Sequence, residues 1–276
     1  MKGTATLPCR TSSLARTRVS SALTFLVLVS IFGIASSSVR AQTNDRKFID
    51  DARNLYSTLR RQGLIEMQAS VDPNWEVFFE GLTEKGKAAA RDALRHLHFS
   101  VTADTNGKIK VTHQIEALKQ DKETRKFLED VAKKIETSVG GFLMSWIPFT
   151  LTSVIPEKLD HFVLQDLDSQ YLLTFTEDAG EVNITITKDH EIRELRTSDG
   201  IVKPLLKRTN EGFVLTGYEV NIDDPNGSRL ELHANVELSD VEGMLLPSKV
   251  FLNGLAEKTP VKVEFHFANY KLRKRT

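Results

Sequence analysis

Seven histidines are the side chains here best suited to chemistry, because imidazole can ligate a metal or carry a proton near neutral pH. His96-Leu97-His98 is the one close pair; on a strand that spacing would put both rings on one face, short of a third ligand for a zinc site. No cysteine, His-x-x-x-His or His-Glu-x-x-His pattern stands nearby, and His96 reads as the end of a helix. His113, His161, His190, His233 and His266 stand singly, mostly on polar strand faces. Nucleophilic catalysis has no better footing. There is no Gly-x-Ser-x-Gly elbow, and Gly140-Gly141 precedes apolar residues rather than the Lys-Ser/Thr pair of a phosphate loop. Asp199, Asp223, Asp224 and Asp240 fall in turns, where aspartate bonds its own backbone. The expectation is a protein that is not an enzyme, with no catalytic residue, no metal and no cofactor. Asn183-Ile-Thr185 and Asn226-Gly-Ser228 match the N-glycosylation pattern, in a strand and a turn, and read as chance matches that matter only in a eukaryotic secretory pathway.

What remains is apolar. Val139–Pro156 runs for eighteen residues without a charge and contains Phe142, Leu143, Trp146, Phe149 and Leu151. Each of these is either plain core or, where a chain carries more apolar area than its core needs, the lining of a pocket. Leu232, Val263, Phe265 and Phe267, on the dry faces of late strands, are expected to complete that lining.

Those side chains need a scaffold. The first 41 residues stand apart: Met1–Ser21 is basic and acid-free, Ala22–Ala35 is an apolar run, and Val39-Arg40-Ala41 offers small residues at −3 and −1. That is the layout of a cleavable secretory signal, with an organelle transit peptide as the rival, and it is short for a membrane span. Export implies a periplasmic protein, or a secreted one, with no transmembrane span after cleavage. A signal left uncut would serve as an anchor instead. The only cysteine, Cys9, lies in the leader, so the remainder has no disulfide. The leader holds five of the 37 basic residues and none of the 37 acidic ones, leaving 32 against 37, a net charge of about −5. That balance gives no footprint for nucleic acid. The basic end, Lys271, Arg273, Lys274 and Arg275, reads as a solvated tail.

Residues 42–46 read as a frayed terminus and Lys47–Gln62 as an amphipathic helix ended by Gly63. Leu64–Val71 alternates as a strand that Asp72-Pro-Asn74 breaks, Thr83–Leu97 is a helix, and 98–103 and 108–115 form a hairpin about Asp104–Gly107. A long helical stripe covers Asp121–Ile147, but Gly140-Gly141 and Pro148 argue against one straight helix through the greasy stretch. From His161 to Leu272 strands dominate, with a bulge expected at Gly217 where the apolar parity slips. In the last strand Val261, Val263, Phe265 and Phe267 oppose Lys262, Glu264 and His266. One-sided alternation over consecutive hairpins predicts an α+β fold: a curved antiparallel sheet, an unclosed half-barrel, wrapped around helices. The expected domain covers 42–276, with a helical insert at about 75–157.

Gly243-Met-Leu-Leu-Pro-Ser-Lys-Val250 followed by Val261-Lys-Val-Glu-Phe-His-Phe-Ala-Asn-Tyr-Lys271, behind a signal and a leading helix, resembles the LolA/LolB type of envelope lipoprotein carrier. In that superfamily a Gly-x-x-Leu-Pro stretch enters a late strand and an Asn-Tyr ending closes the last. The resemblance covers 47–71 and 159–272 and departs at 75–157; the carriers' interior arginine has no counterpart. It implies an unclosed barrel with helices plugging its mouth and acyl chains bound in the concavity.

The expected function is therefore an exported, non-enzymatic binding protein holding a lipid or other apolar ligand, with a lipid or lipoprotein carrier as the implied role. The alternative is an envelope structural or interaction module with a filled core and a protein partner.

Overall fold

Alternating side chains drive most of this chain into one sheet. The computed structural model describes residues 39–275, except 57, 80–82, 117–121, 179, 224–228 and 258. The bulk of the expected leader, Cys9, and the Asn226 motif lie outside the described residues. Twelve antiparallel strands form the sheet. β1 (Leu64–Pro73), β2 (Leu97–Asp104) and β3 (Ile109–Ile115) come first, followed by β4 (Phe162–Asp166), β5 (Gln170–Glu177) and β6 (Gly180–Thr187). β7 (Ile192–Arg196), β8 (Ile201–Thr209), β9 (Gly212–Asp223), β10 (Arg229–Val241), β11 (Met244–Ala256) and β12 (Thr259–Lys274) complete it. The order β3-β2-β1-β12-β11-β10-β9-β8-β7-β6-β5-β4 leaves β3 and β4 as free ends, so the sheet is unclosed, like a half-barrel. Every neighbour in that order is also a neighbour in sequence, apart from the pair β1 and β12. The described helices are α1 (Val39–Asn54), α2 (Thr58–Arg61), α3 (Glu84–Leu94) and α4 (Lys122–Thr150), with a 3-10 turn at Trp75–Phe79. None of them is long and apolar enough to cross a membrane.

The strand boundaries follow the alternation closely, and so does burial: on β12, Val263, Phe265 and Phe267 are buried while Lys262 and His266 are exposed. The expected bulge is present. Leu205 pairs Gly217 and Leu206 pairs Leu215, so Thr216 is the extra residue. Such bulges bend a strand and sharpen its twist. On α3, the Thr83 hydroxyl accepts from the Gly86 amide and caps the helix.

Several expectations are corrected. Residues 42–46 are helical rather than frayed, and the helix expected at 47–62 is two helices. The break has a tertiary cause. The Leu55 carbonyl accepts the Phe213 amide of β9 at 2.7 Å, and so is lost to the helical ladder. Gly212 makes that approach feasible: it sits at φ +133°, and a Cβ there would collide with the Leu55 carbonyl. Asp72-Pro73 does not end β1, which runs on to pair Pro73 with Phe265. The hairpin expected at 98–115, within the segment 75–157, is present as β2 and β3, which extend the main sheet beyond β1. The basic end is a strand rather than a tail: Arg273 pairs with Glu66 at 2.8 Å and Lys274 with Glu242 at 3.0 Å.

α4 continues through Gly140-Gly141 and Pro148 as one 29-residue helix. Two facts reconcile this with the breakers. Pro148 lies in the last turn and withholds a donor only from Met144, which at 70% exposure faces solvent, where water can satisfy the carbonyl. The inner side meanwhile buries Leu128, Ala132, Ile135, Val139, Phe142, Leu143, Trp146 and Ile147, and burial of that size outweighs about 1 kcal/mol for each glycine. α4 packs against β3 and β9.

Candidate functional site

Helical spacing on α4 and two-residue spacing on β12 bring seven of the eight expected lining residues into one buried cluster, with Leu232 of β10 half-buried against it. Phe142, Leu143, Trp146 and Phe149 are at most 1% exposed, and Val263, Phe265 and Phe267 at most 6%. Phe142 is the meeting point. Its ring centroid lies 5.9 Å from Phe267, 6.4 Å from Trp146 and 6.5 Å from Tyr218 of β9. Phe149 meets Tyr56 edge-on at 6.4 Å instead, and Tyr56 stacks on Phe213 at 5.4 Å. Among the eight residues the ring contacts are Phe142 with Trp146 and Phe142 with Phe267, while Phe149 reaches Tyr56 within the same buried cluster.

Sequence reasoning missed the importance of two tyrosines. Each stood on an apolar face, Tyr56 on the first helix and Tyr218 on the strand Gly212–Ile222; the hydroxyls set them apart. Tyr56 accepts the Ile192 amide at 2.7 Å and donates to the His190 carbonyl at 3.1 Å, so it is fully used in tying the first helical segment to the turn before β7. Burial pushes its phenol far up. Tyr218 differs. Burial pushes its phenol up to about 12, and its hydroxyl lies near Ser145 without a hydrogen bond of ordinary geometry. The Ser145 hydroxyl bonds back to the Gly141 carbonyl at 3.3 Å. The Trp146 indole Nε1 is also buried without a partner. Trp146 Nε1, without a partner, and the Tyr218 hydroxyl, with only Ser145 near it, therefore flank Phe142; a buried donor left wholly unpaired costs about 1–3 kcal/mol. This cluster offers apolar contact and hydrogen-bond donation.

Five of the seven histidines, His96, His98, His113, His233 and His266, stand within 3.5 Å of a glutamate oxygen. His96 lies in the turn before β2 rather than in the strand, and both His96 and His98 reach Glu116, at 2.9 and 3.0 Å. Arg95 Nε donates to His96 Nε2 at 3.0 Å, so the proton of neutral His96 is on Nδ1 and points at Glu116. The two histidines hold the Glu116 carboxyl below the usual carboxylate range. His113 faces α4 rather than solvent, between Glu136 at 2.8 Å and Glu129 at 3.6 Å. Among the described residues no group of three or more His, Cys, Asp or Glu is placed to hold a metal ion. Asp240 accepts the Gly243 amide at 2.9 Å and Asp199 the Ser198 hydroxyl at 3.0 Å, while Asp224 and the side chain of Asp223 lie outside the described residues. Asn183 of the first glycosylation motif is engaged by Thr174 at 2.7 Å and Glu181 at 2.9 Å.

A cleft of about 870 Å³ opens where the charge-free stretch ends at Pro156. Its walls come from α1, the segment 156–161 and the starts and ends of β4 and β5, and they carry Arg46, Lys158, His161, Asp45, Asp160 and Glu177. Arg46 Nη1 donates to the Leu159 carbonyl at 3.0 Å and fixes this wall to α1. None of the eight expected residues lines the cleft.

Comparison with known proteins returns no match among family models, curated proteins or solved structures.

Proposed function

We propose that this is an exported, periplasmic or secreted, non-enzymatic binding protein that takes up the acyl part of an ester-bearing lipid between α4 and the strands carrying Tyr218 and Phe267. The two unpaired donors beside Phe142 carry this reading. A core that only had to be full would omit such donors or pair them, because each is costly when dry. An ester carbonyl beside Phe142 would accept from Trp146 Nε1 and the Tyr218 hydroxyl. Affinity would come from apolar area removed from water, at ~25 cal/mol per Å² before the costs of ordering. Uptake would displace the C-terminal half of α4, which Gly140-Gly141 and Pro148 make easier to lift than an unbroken run of good helix formers. An unclosed antiparallel sheet is what the resemblance to the LolA/LolB carriers implies, and lipid or lipoprotein carriage would be the corresponding role.

Native mass spectrometry of protein purified without detergent from its host envelope tests this. A bound ester lipid is the expected result. A bare mass that stays bare after lipids are offered would end the proposal.

The close packing of Phe142, Trp146 and Phe267 favours a second reading, an envelope interaction module with a filled core. It would purify bare of lipid and with an envelope protein attached.

A further inference from the structure

His190 packs against the first helix instead of pairing with a glutamate. It lies in the turn between β6 and β7 at φ +67°, and its ring meets that of Phe48 on α1 with centroids 4.5 Å apart. Phe48 also touches Tyr171 of β5, at 4.4 Å. Nδ1 of His190, unlike Nε2, is buried without a hydrogen-bond partner. A neutral imidazole fits this seat by keeping its proton on Nε2 and its lone pair on Nδ1. An imidazolium does not, because it must carry an N–H at Nδ1, where no described residue accepts it. The backbone of the same residue is a joint. Its carbonyl accepts the Tyr56 hydroxyl at 3.1 Å, and that hydroxyl accepts the Ile192 amide at 2.7 Å. Seating an imidazolium therefore requires the ring or the turn to shift, and a shift of the turn draws the carbonyl from Tyr56.

We propose that His190 is an acid-sensitive latch: protonation of its ring opens the junction between the first helical segment and the β6–β7 turn. Among the charged groups facing the ring, Asp51 of α1 and Asp189 of the turn favour the imidazolium, and Arg208 of β8 opposes it. Lys188 and Glu191, the other charged residues of the turn, are engaged by Asp166 at 2.5 Å and Arg193 at 3.0 Å. Burial outweighs the two carboxylates and holds the imidazole below the ordinary histidine value of 6.5. A lowered folded-state value means folding favours the neutral ring, so the junction is intact above 6.5 and weakens as pH falls from there through the folded-state value. The remaining contacts of α1 do not titrate near neutrality: Ile49 and Ala52 are buried, and Arg46 and Arg53 donate to the carbonyls of Leu159 and Ile155. Acid therefore loosens this junction and leaves α1 in place. The effect reaches further through the Tyr56 ring, which stacks on Phe213 and meets Phe149 in the last turn of α4. The latch operates whether or not the buried cluster holds a lipid.

The test is amide exchange on the purified protein at about pH 7.5 and about pH 5, corrected for the intrinsic pH dependence of exchange, read at Ile192 with Ala234 of β10 as the reference. Ile192 protection should fall at least about fivefold against Ala234, the lower bound for a buried donor left without an acceptor. His190→Asn removes the titrating ring, and asparagine tolerates the left-handed φ, so this variant should protect Ile192 equally at both pH values. Tyr56→Phe removes the acceptor itself and should leave Ile192 weakly protected at both. Equal wild-type protection at the two pH values, a fall shared by Ala234, or a fall that persists in His190→Asn would each overturn the latch. So would an Ile192 amide that stays protected in Tyr56→Phe.

Discussion

The Tyr270 hydroxyl donates to the Pro247 carbonyl at 2.6 Å, and this bond joins two irregularities in neighbouring strands. Pro247 pairs Leu238 while Lys249 pairs Glu237, so Ser248 is an extra residue in β11. Tyr270 follows Asn269, whose φ of +54° accompanies the slip of β12 against β1 between Ala268 and Lys271. The ladder of β11 with β12 runs from Ala256↔Thr259 to Lys249↔His266, and the tyrosine spans the ground just past its end. The Gly-x-x-Leu-Pro and Asn-Tyr stretches, noticed as a family likeness, thus meet each other in space. Tyr270→Phe leaves the buried Pro247 carbonyl without its donor and should cost about 1–2 kcal/mol in urea unfolding.

Tyr218→Phe should act in the opposite direction. It deletes a buried hydroxyl that lacks a good partner and keeps the ring against Phe142. The ligand-free protein is expected to gain about 1 kcal/mol. If an ester lipid is the ligand, the same change weakens its retention, which a competition assay with a fluorescent acyl ester would register. Gain in stability with unchanged retention would favour the filled-core reading.

Glu264 makes stability depend on acid. Asn74 Nδ2 donates to its Oε1 at 3.0 Å, and His266 and Lys249 stand at 3.0 and 3.3 Å from the same oxygen. The Asn74 bond first, and then the hydrogen bonds of His266 and Lys249, hold the carboxyl below the ordinary glutamate value of 4.5. A lowered folded-state value means folding favours the ionised form, so its contribution is complete above the unfolded value of about 4.5 and is lost as pH falls from there through the folded-state value. Glu264→Gln should lower the urea midpoint at neutral pH and cease to matter well below pH 4.5.

Gly212→Ala should be among the most damaging single changes. The new methyl group meets the Leu55 carbonyl at a φ of +133° that side chains rarely adopt. Loss of about 2 kcal/mol or more is expected, with faster amide exchange at Phe213 as the Leu55 contact opens.

The strands were legible because alternation reports burial directly, as on β12, where Val263, Phe265 and Phe267 are buried and Lys262 and His266 exposed. α4 was legible as a stripe but not as a whole, since glycine and proline propensity speaks for local cost and not for the area that Trp146 and Phe142 bury. The break after Asn54 could not be read at all: its cause is the Phe213 amide, more than 150 residues away in the chain. The buried cluster was named from its apolar members. Its polar feature was not, because a tyrosine whose hydroxyl is bonded, Tyr56, and one whose hydroxyl is idle, Tyr218, look alike in a sequence. The cleft is assembled from residues 45–46, 156–163 and 174–177, and no motif spans those segments.

The strand order has a bearing on how the molecule is made. All neighbours form as successive hairpins except β1, which has β2 on one side and must wait for β12 on the other, with Leu64 opposite Lys274. Local hairpins close quickly, whereas a contact across some 200 residues is slow to find. During synthesis β12 is translated after every other strand, so β1 presents an open backbone edge throughout that interval. Until the last strand arrives, Met67, Gln68 and their neighbours are available to any other extended chain, which is the period of greatest exposure to mispairing and to chaperones.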